Sequence, residues 1–312
     1  MAIPDVFPAR PSTETSKVDR RKTIRLGNAL MLTDFSPSSE LALPYAVALA
    51  HQYDGKVVVA HVISPEMYEY APPELASEIR SKIEEYGNYR MHVLLSRAEF
   101  HNVPHEAVVQ TGEVWQSLKE LAETLEIDVI VVGTHGRRGL TKALMGAVAQ
   151  EIVQSARIPV LSVGPHCGGE APRHYPTRIL CATDFSADSV RAMAHAISLA
   201  QTFSASLVLT YVAPHISDDP SSKTHCEAYF EERLQELVAG EASSLPRLDY
   251  RVEFGTACDG ILGAATNEKA DFIVMGVRGA GSLHRPAHRM GTTSDEVVSG
   301  ACCPVLTVRR LG

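Results

Sequence analysis

The chain repeats itself, and any fold it adopts must be adopted twice. Thr33-Asp34-Phe35-Ser36 returns as Thr183-Asp184-Phe185-Ser186, and the segment 57–63 returns as 207–213, both at an offset of 150. Segment 128–136 (DVIVVGTHG) returns as 271–279 (DFIVMGVRG) at an offset of 143, and 158–163 (IPVLSV) returns as 303–308 (CPVLTV) at 145. Four matches in one order describe a duplicated domain with small length changes in its connections. The length of 312 residues agrees with two domains.

Each copy alternates strand and helix. In the first copy, ALMLT (29–33) is a short apolar run of the kind covered on both faces. Residues 37–53 then carry apolar side chains at helical spacing. Ser36 stands where it can cap that helix, and Pro37 where proline is tolerated. Pro44 lies within the same stretch and is expected to kink or interrupt it. A strand at 57–63, a long amphipathic helix over about 73–98 and a strand near 104–111 follow. Helix 113–125, strand 128–133, helix 147–156 and strand 159–163 complete the copy, and the second copy repeats the order. This alternation predicts an α/β fold with a parallel sheet between helices. Ligands of such sheets bind at the carboxyl ends of the strands. The Thr-Asp-Phe-Ser corners and two glycine loops all fall at such ends.

The loop of the first copy runs GTHGRRGLTKALMGAV (133–148), with Gly133, Gly136 and Gly146 at fixed offsets and Arg137, Arg138 and Lys142 between them. One reading is a strand-to-helix turn that needs positive φ. The other is a phosphate cradle: glycines admit close backbone approach, and a helix starting at Gly146 offers free amides and a positive dipole end. No Gly-Lys-Ser/Thr follows a glycine-rich run, so a Walker A loop is excluded. GAGSLH (279–284) lacks the third glycine of a dinucleotide fingerprint.

With these residues in view, each half resembles a universal stress protein domain, and the whole chain a tandem universal stress protein. The resemblance covers about 23–165 and 177–309, with 1–22 as a flexible tail and 166–176 as a linker. It implies two tandem five-stranded parallel-sheet domains of the Rossmann-like, adenine nucleotide alpha hydrolase-like type. Single-domain relatives pair through their last strands, so the segments PVLSV and PVLTV are expected to pair within the chain as a built-in pseudo-dimer. Further homodimerisation is left open. The nucleotide-binding branch of the family carries Gly-x2-Gly-x9-Gly-Ser/Thr. By resemblance, Asp34 and Val62 take the adenosine side in the first copy, with Gly133, Gly136 and Gly146 on the phosphates. In the second copy the matching residues are Asp184, Val212, Gly276, Gly279 and Gly291. The implied ligand is ATP, with or without Mg²⁺, and the implied role is a stress-response module that changes state or protein partner with nucleotide.

Both copies depart from that motif. The first keeps the nine-residue spacing but has Ala147 where the hydroxyl belongs. A hydrogen bond to a charged group contributes about 1.5–3 kcal/mol, so its loss corresponds to roughly tenfold or more in affinity. The second keeps Thr292 and Ser294 but places eleven residues, among them Arg285, Pro286 and Arg289, between Gly279 and Gly291. Two other readings therefore stand beside nucleotide binding: an interaction protein with degenerate loops, and a slow ATP hydrolase, for which no general base or magnesium-binding carboxylate cluster is evident. Asp34 and Asp184 also have a turn-forming reading, because a carboxylate at a strand end often bonds local amides. No catalytic residue and no metal site is assigned. His284 and His288 are four apart with Pro286 between them, which argues against one helical face. His61 and His135 read as packing or hydrogen-bonding residues.

Charge and cysteine usage narrow the class. Residues 1–168 carry 16 basic and 20 acidic side chains and residues 169–312 carry 13 and 17, about −4 for each half. Neither half offers the basic surface of a nucleic-acid binder. Arg20-Arg21-Lys22 reads as a solvated face. No apolar run suits a membrane span or a signal peptide. The six cysteines include no Cys-x-x-Cys and form no disulfide framework, which fits a reducing cytoplasm. Cys302-Cys303 read as free thiols.

Overall fold

The structure is a computed structural model that describes residues 24–68, 72–134, 145–167, 175–214, 219–279 and 293–310. The tail, most of the linker, Gly136, Gly291 and Thr292 lie outside the described residues. So do His135, Arg137, Arg138, Lys142, His284, Arg285, Pro286, His288 and Arg289.

The first half runs β1 (Ala29–Leu32), α1 (Pro37–Glu40), α2 (Leu43–Gln52), β2 (Val57–Ile63), α3 (Pro73–Leu95) and β3 (His105–Thr111). It continues with α4 (Val114–Thr124), β4 (Val129–Gly133), α5 (Ala147–Ser155) and β5 (Val160–Val163). The second half repeats the order with β6 (Arg178–Ala182), α6 (Ala187–Phe203), β7 (Ser206–Ala213), α7 (Pro220–Val238) and β8 (Leu248–Phe254). It ends with α8 (Ala257–Asn267), β9 (Phe272–Gly276), α9 (Thr293–Gly300) and β10 (Val305–Val308). Pro44 has the expected effect. It has no N–H for the Glu40 carbonyl, and the first helix is split into α1 and α2, whereas the proline-free α6 runs unbroken for 17 residues.

All ten strands form one sheet in the order β3-β2-β1-β4-β5-β10-β9-β6-β7-β8. Within each half the pairing is parallel. The halves meet where β10 pairs antiparallel with β5, Val305 opposite Ser162 and Thr307 opposite Val160. The two last strands thus join within one chain, and the pseudo-dimer is a structural fact. Thr307 Oγ1 donates to the Val160 carbonyl at 3.2 Å across this seam. Gln150 and Gln154 of α5 both donate to Asp295 Oδ2 of α9, at 3.1 and 2.9 Å. On one face a single apolar cluster holds Leu26, Tyr45 and Val163 of the first half together with Ile179, Phe272 and Leu306 of the second. On the other face each half keeps its own cluster, under α4–α5 and under α8–α9, and Met145 packs against both. Residues buried on both sides explain why the strands read as continuous apolar runs rather than alternating ones.

Candidate functional site at the strand ends

The corner after β1 and the corner after β6 are built alike. Phe35 and Phe185 sit in the left-handed region, at φ 60° and 62°. That conformation costs a bulky side chain about 1–3 kcal/mol and needs local support. Thr33 Oγ1 accepts the Phe35 N–H at 2.9 Å, and Asp34 Oδ1 accepts the Ser36 N–H at 2.9 Å. Ser36 Oγ then caps the helix by accepting the Ser39 N–H at 3.2 Å. The second corner repeats the set: Thr183 with Phe185, Asp184 with Ser186 and Ser186 with Ser189, at 3.1, 3.1 and 3.3 Å. One oxygen of each aspartate thus fixes the turn. In the second copy the other oxygen faces the glycine loop, because a Cβ added at Gly279 would lie 2.8 Å from Asp184 Oδ2. The structure therefore brings Asp184 and Gly279 together.

An arginine closes each corner from the long helix, a feature missed in the sequence. Arg90 lies over the Phe35 ring, 5.2 Å from its centre, and donates to the Phe35 carbonyl at 3.0 Å. Arg233 lies 4.7 Å over Phe185. Each is bonded to a tyrosine one turn earlier, Arg90 to Tyr86 and Arg233 to Tyr229. The pairs stand at the same offset of 143 as the glycine strands. Aligning the long helices at that offset would have revealed them. His61 is buried, and its Nδ1 donates to the Thr33 carbonyl at 2.8 Å while its ring packs 4.4 Å from Phe35.

The first glycine of each loop has a packing reason. Among the described glycines, Gly255 is the one with positive φ, so Gly133 and Gly276 are not there to supply a left-handed turn. A Cβ at Gly133 would lie 2.5 Å from the Ser38 carbonyl oxygen, and one at Gly276 would lie 2.7 Å from the Ser189 nitrogen. Both glycines let the helix after the corner seat directly on the end of the neighbouring strand. Gly146 is different. It stands in extended backbone as the N-cap of α5, with no side chain capping that helix, and its N–H donates to the Thr134 carbonyl at 2.8 Å. The first-turn amides of α5, beginning at Ala147, therefore have no side-chain acceptor from the cap position. In the second copy the Ser294 hydroxyl is buried and donates to the Val277 carbonyl at 3.3 Å.

Val62 and Val212 lie on the opposite sheet face from His61 and Tyr211, and both are half-buried. Helix α8 sits close on Val212, since a Cβ at Gly260 would lie 2.6 Å from Val212 Cγ1. The second carboxyl edge also carries Asp188. Its Oδ2 accepts the Arg278 N–H at 3.2 Å and its Oδ1 the Arg310 N–H at 3.0 Å, which ties the ends of β9 and β10 to the first turn of α6. Among the described residues no group of three or more His, Cys, Asp or Glu side chains is placed to hold a metal ion. No helix among them is long and apolar enough to cross a membrane.

The family model of the universal stress protein family matches residues 26–164 and again 176–309. The Methanocaldococcus jannaschii universal stress protein MJ0531 is 30% identical over 132 residues, covering 42% of this chain and 78% of that protein. A Thermus aquaticus universal stress protein, named for its place in the QAH/OAS sulfhydrylase 3' region, is 39% identical over 140 residues, 42% of this chain and 97% of that protein. The crystal structure of a universal stress protein from Archaeoglobus fulgidus superposes with a TM-score of 0.68 at 22% identity, over 92% of this chain and 99% of that one, a likeness of fold. The chain belongs to the universal stress protein family, with two copies of its domain joined in one ten-stranded sheet.

Proposed function

We propose that the protein is a cytoplasmic stress-response module that binds an adenine nucleotide, ATP with or without Mg²⁺, at the carboxyl edge of its sheet and changes loop order or protein partner with occupancy. The observation that carries this reading is the strained corner set against the glycine-bearing strand end in each copy, with Asp184 beside Gly279 in the second. Strain of this kind, duplicated and over-supported, clusters at ligand sites. The residues present suit such a ligand. Asp34 and Asp184 place a carboxylate at this edge, a group suited to ribose or base donors. The α5 amides that follow Gly146 suit a phosphate oxygen. Bound nucleotide would supply negative charge at this edge, and ordering of 133–146 and 276–291 would be the response.

Two measurements test this. Denaturing protein purified without added nucleotide and identifying the released small molecules should yield ATP or ADP in stoichiometric amount. Saturating ATP should slow hydrogen exchange in 133–146 or 276–291. No released nucleotide together with unchanged exchange in both loops would overturn the reading. In that event the interaction-protein reading leads, favoured by Ala147 in the first copy and by the Ser294 hydroxyl bonded to Val277 in the second.

A further inference from the structure

The second carboxyl edge carries a cation that the family motif does not include. Arg309 directly follows β10, and Arg278 follows β9 by two residues. The strands are parallel neighbours, with Val308 opposite Gly276, so both arginines leave the same end of the sheet. Arg309 is half-buried, and its Nε is enclosed without a hydrogen-bond partner among the described residues. Among the described residues, Arg278 repels it and Asp188 attracts it. Asp188 is a single negative charge facing two guanidiniums, and its two oxygens already accept the Arg278 and Arg310 amides. No carboxylate among the described residues pairs with Arg309 within ion-pair distance. A half-buried guanidinium beside a like charge, with a buried donor unused, is unfavourable unless an anion completes it. Burial and Arg278 together push the Arg309 guanidinium down from its ordinary range.

The first copy has no counterpart. Gly164 stands at the position of Arg309 and Ser38 at that of Asp188. At these two positions the edges differ in charge although their corners match.

We propose that Arg309, with Arg278 beside it, is a seat for a phosphate oxygen of the nucleotide's polyphosphate, so that the second copy holds its ligand by side-chain charge. This rests on the nucleotide reading above and names the copy that carries the phosphates. The fork of a guanidinium suits a phosphate oxyanion better than a neutral ligand would.

The test uses the full chain, stripped of nucleotide, titrated calorimetrically with ATP, adenosine and sodium tripolyphosphate at two salt concentrations. R309Q should lower ATP affinity at least tenfold, flatten its salt dependence and leave adenosine binding unchanged, while R309K recovers part of the loss. Without ligand, R309Q should unfold at the same or a higher denaturant concentration than the parent, because it removes an uncompensated charge. ATP binding by R309Q within twofold of the parent would overturn the seat and leave the nucleotide reading standing. Equal losses for ATP and adenosine, or an R309Q that unfolds earlier, would make Arg309 structural and also overturn it. Parent protein that binds tripolyphosphate through Arg309 but no ATP would keep the seat and end the nucleotide reading. Binding of neither would end both.

Discussion

The two copies share a corner but not what lies above it. In the second copy Phe230 of α7 packs on Tyr211 at 4.2 Å and on Phe185 at 6.2 Å, and Lys223 covers the Phe254 ring at 5.0 Å. The corresponding positions in the first copy are Gly87, His61, Arg80 and Thr111. There a cleft of about 320 Å³ opens between Arg80, Glu84 and Asn88 of α3 and the ends of β2 and β3 at Ile63, Gln110 and Thr111. Aromatic filling in one copy and a polar cleft in the other means that the backbone plan does not depend on what fills this face. The strained corner, its caps and its arginine lid are kept in both copies while their surroundings diverge. Duplicated chains are free to change in this way, since each half needs only one working arrangement.

The largest expected effect tests the filled copy. Phe230→Ala empties a buried aromatic site and should lower stability by about 4 kcal/mol, read from denaturant unfolding. Gly87→Ala at the matching position should change it by less than about 1 kcal/mol. Its Cβ meets His61 and Val109 at 3.3 Å, which offsets the helix propensity it gains. Similar losses at both positions would break the comparison.

The glycines test what the copies share. Gly133→Ala and Gly276→Ala should each cost about 3 kcal/mol, because a Cβ would run into backbone atoms of the helix after the corner. Gly146→Ala should cost under about 1 kcal/mol, since its nearest neighbour would be 3.5 Å away. A tolerant Gly133 or Gly276 would mean that the helix seating is looser than described.

A third contrast is one of protonation. His195 in α6 stands where the first half has Tyr45. Burial lowers the His195 pKa, and its Nδ1 donates to the Arg191 carbonyl at 3.0 Å. Above about pH 6.5 the ring is neutral folded or unfolded. Below that the unfolded chain takes up a proton that the folded one resists, so stability falls as the pH falls. His195→Leu should flatten the unfolding midpoint between pH 6.5 and 5 relative to the parent. An unchanged slope would contradict a buried neutral histidine.

The smallest effect is chemical. Cys302 is exposed, whereas burial pushes the Cys167 thiol up to about 11 and the Cys181 thiol up to about 12. A thiol reagent on native protein should label Cys302 rapidly, and Cys302→Ser should remove that fast phase.

Particular residues show how far the sequence could be read. Buried strands are contiguous apolar runs and the duplication states their order twice, so the parallel sheet of each half and the break at Pro44 were legible, while the seam at β5 and β10 followed from the family resemblance. The Asp34 and Asp184 turns were legible as one of two readings. In sequence, Gly133 reads as a phosphate contact or a turn residue and Gly276, by resemblance, as a phosphate contact, and the structure supplies another reason for both, contact between helix and strand end. A glycine records that something comes close without recording what. Arg278 and Arg309 gave no local signal, because only the pairing of β9 with β10 makes them neighbours. Gly136, Gly291 and Thr292 lie outside the described residues.

The most direct measurement is calorimetric titration of ATP with Mg²⁺ into the nucleotide-stripped chain, alongside Asp34→Ala and Asp184→Ala. Saturable binding of the parent at one or both edges is expected, with Asp184→Ala the more damaging substitution. No heat of binding from the parent, with the protein folded by circular dichroism, would contradict it.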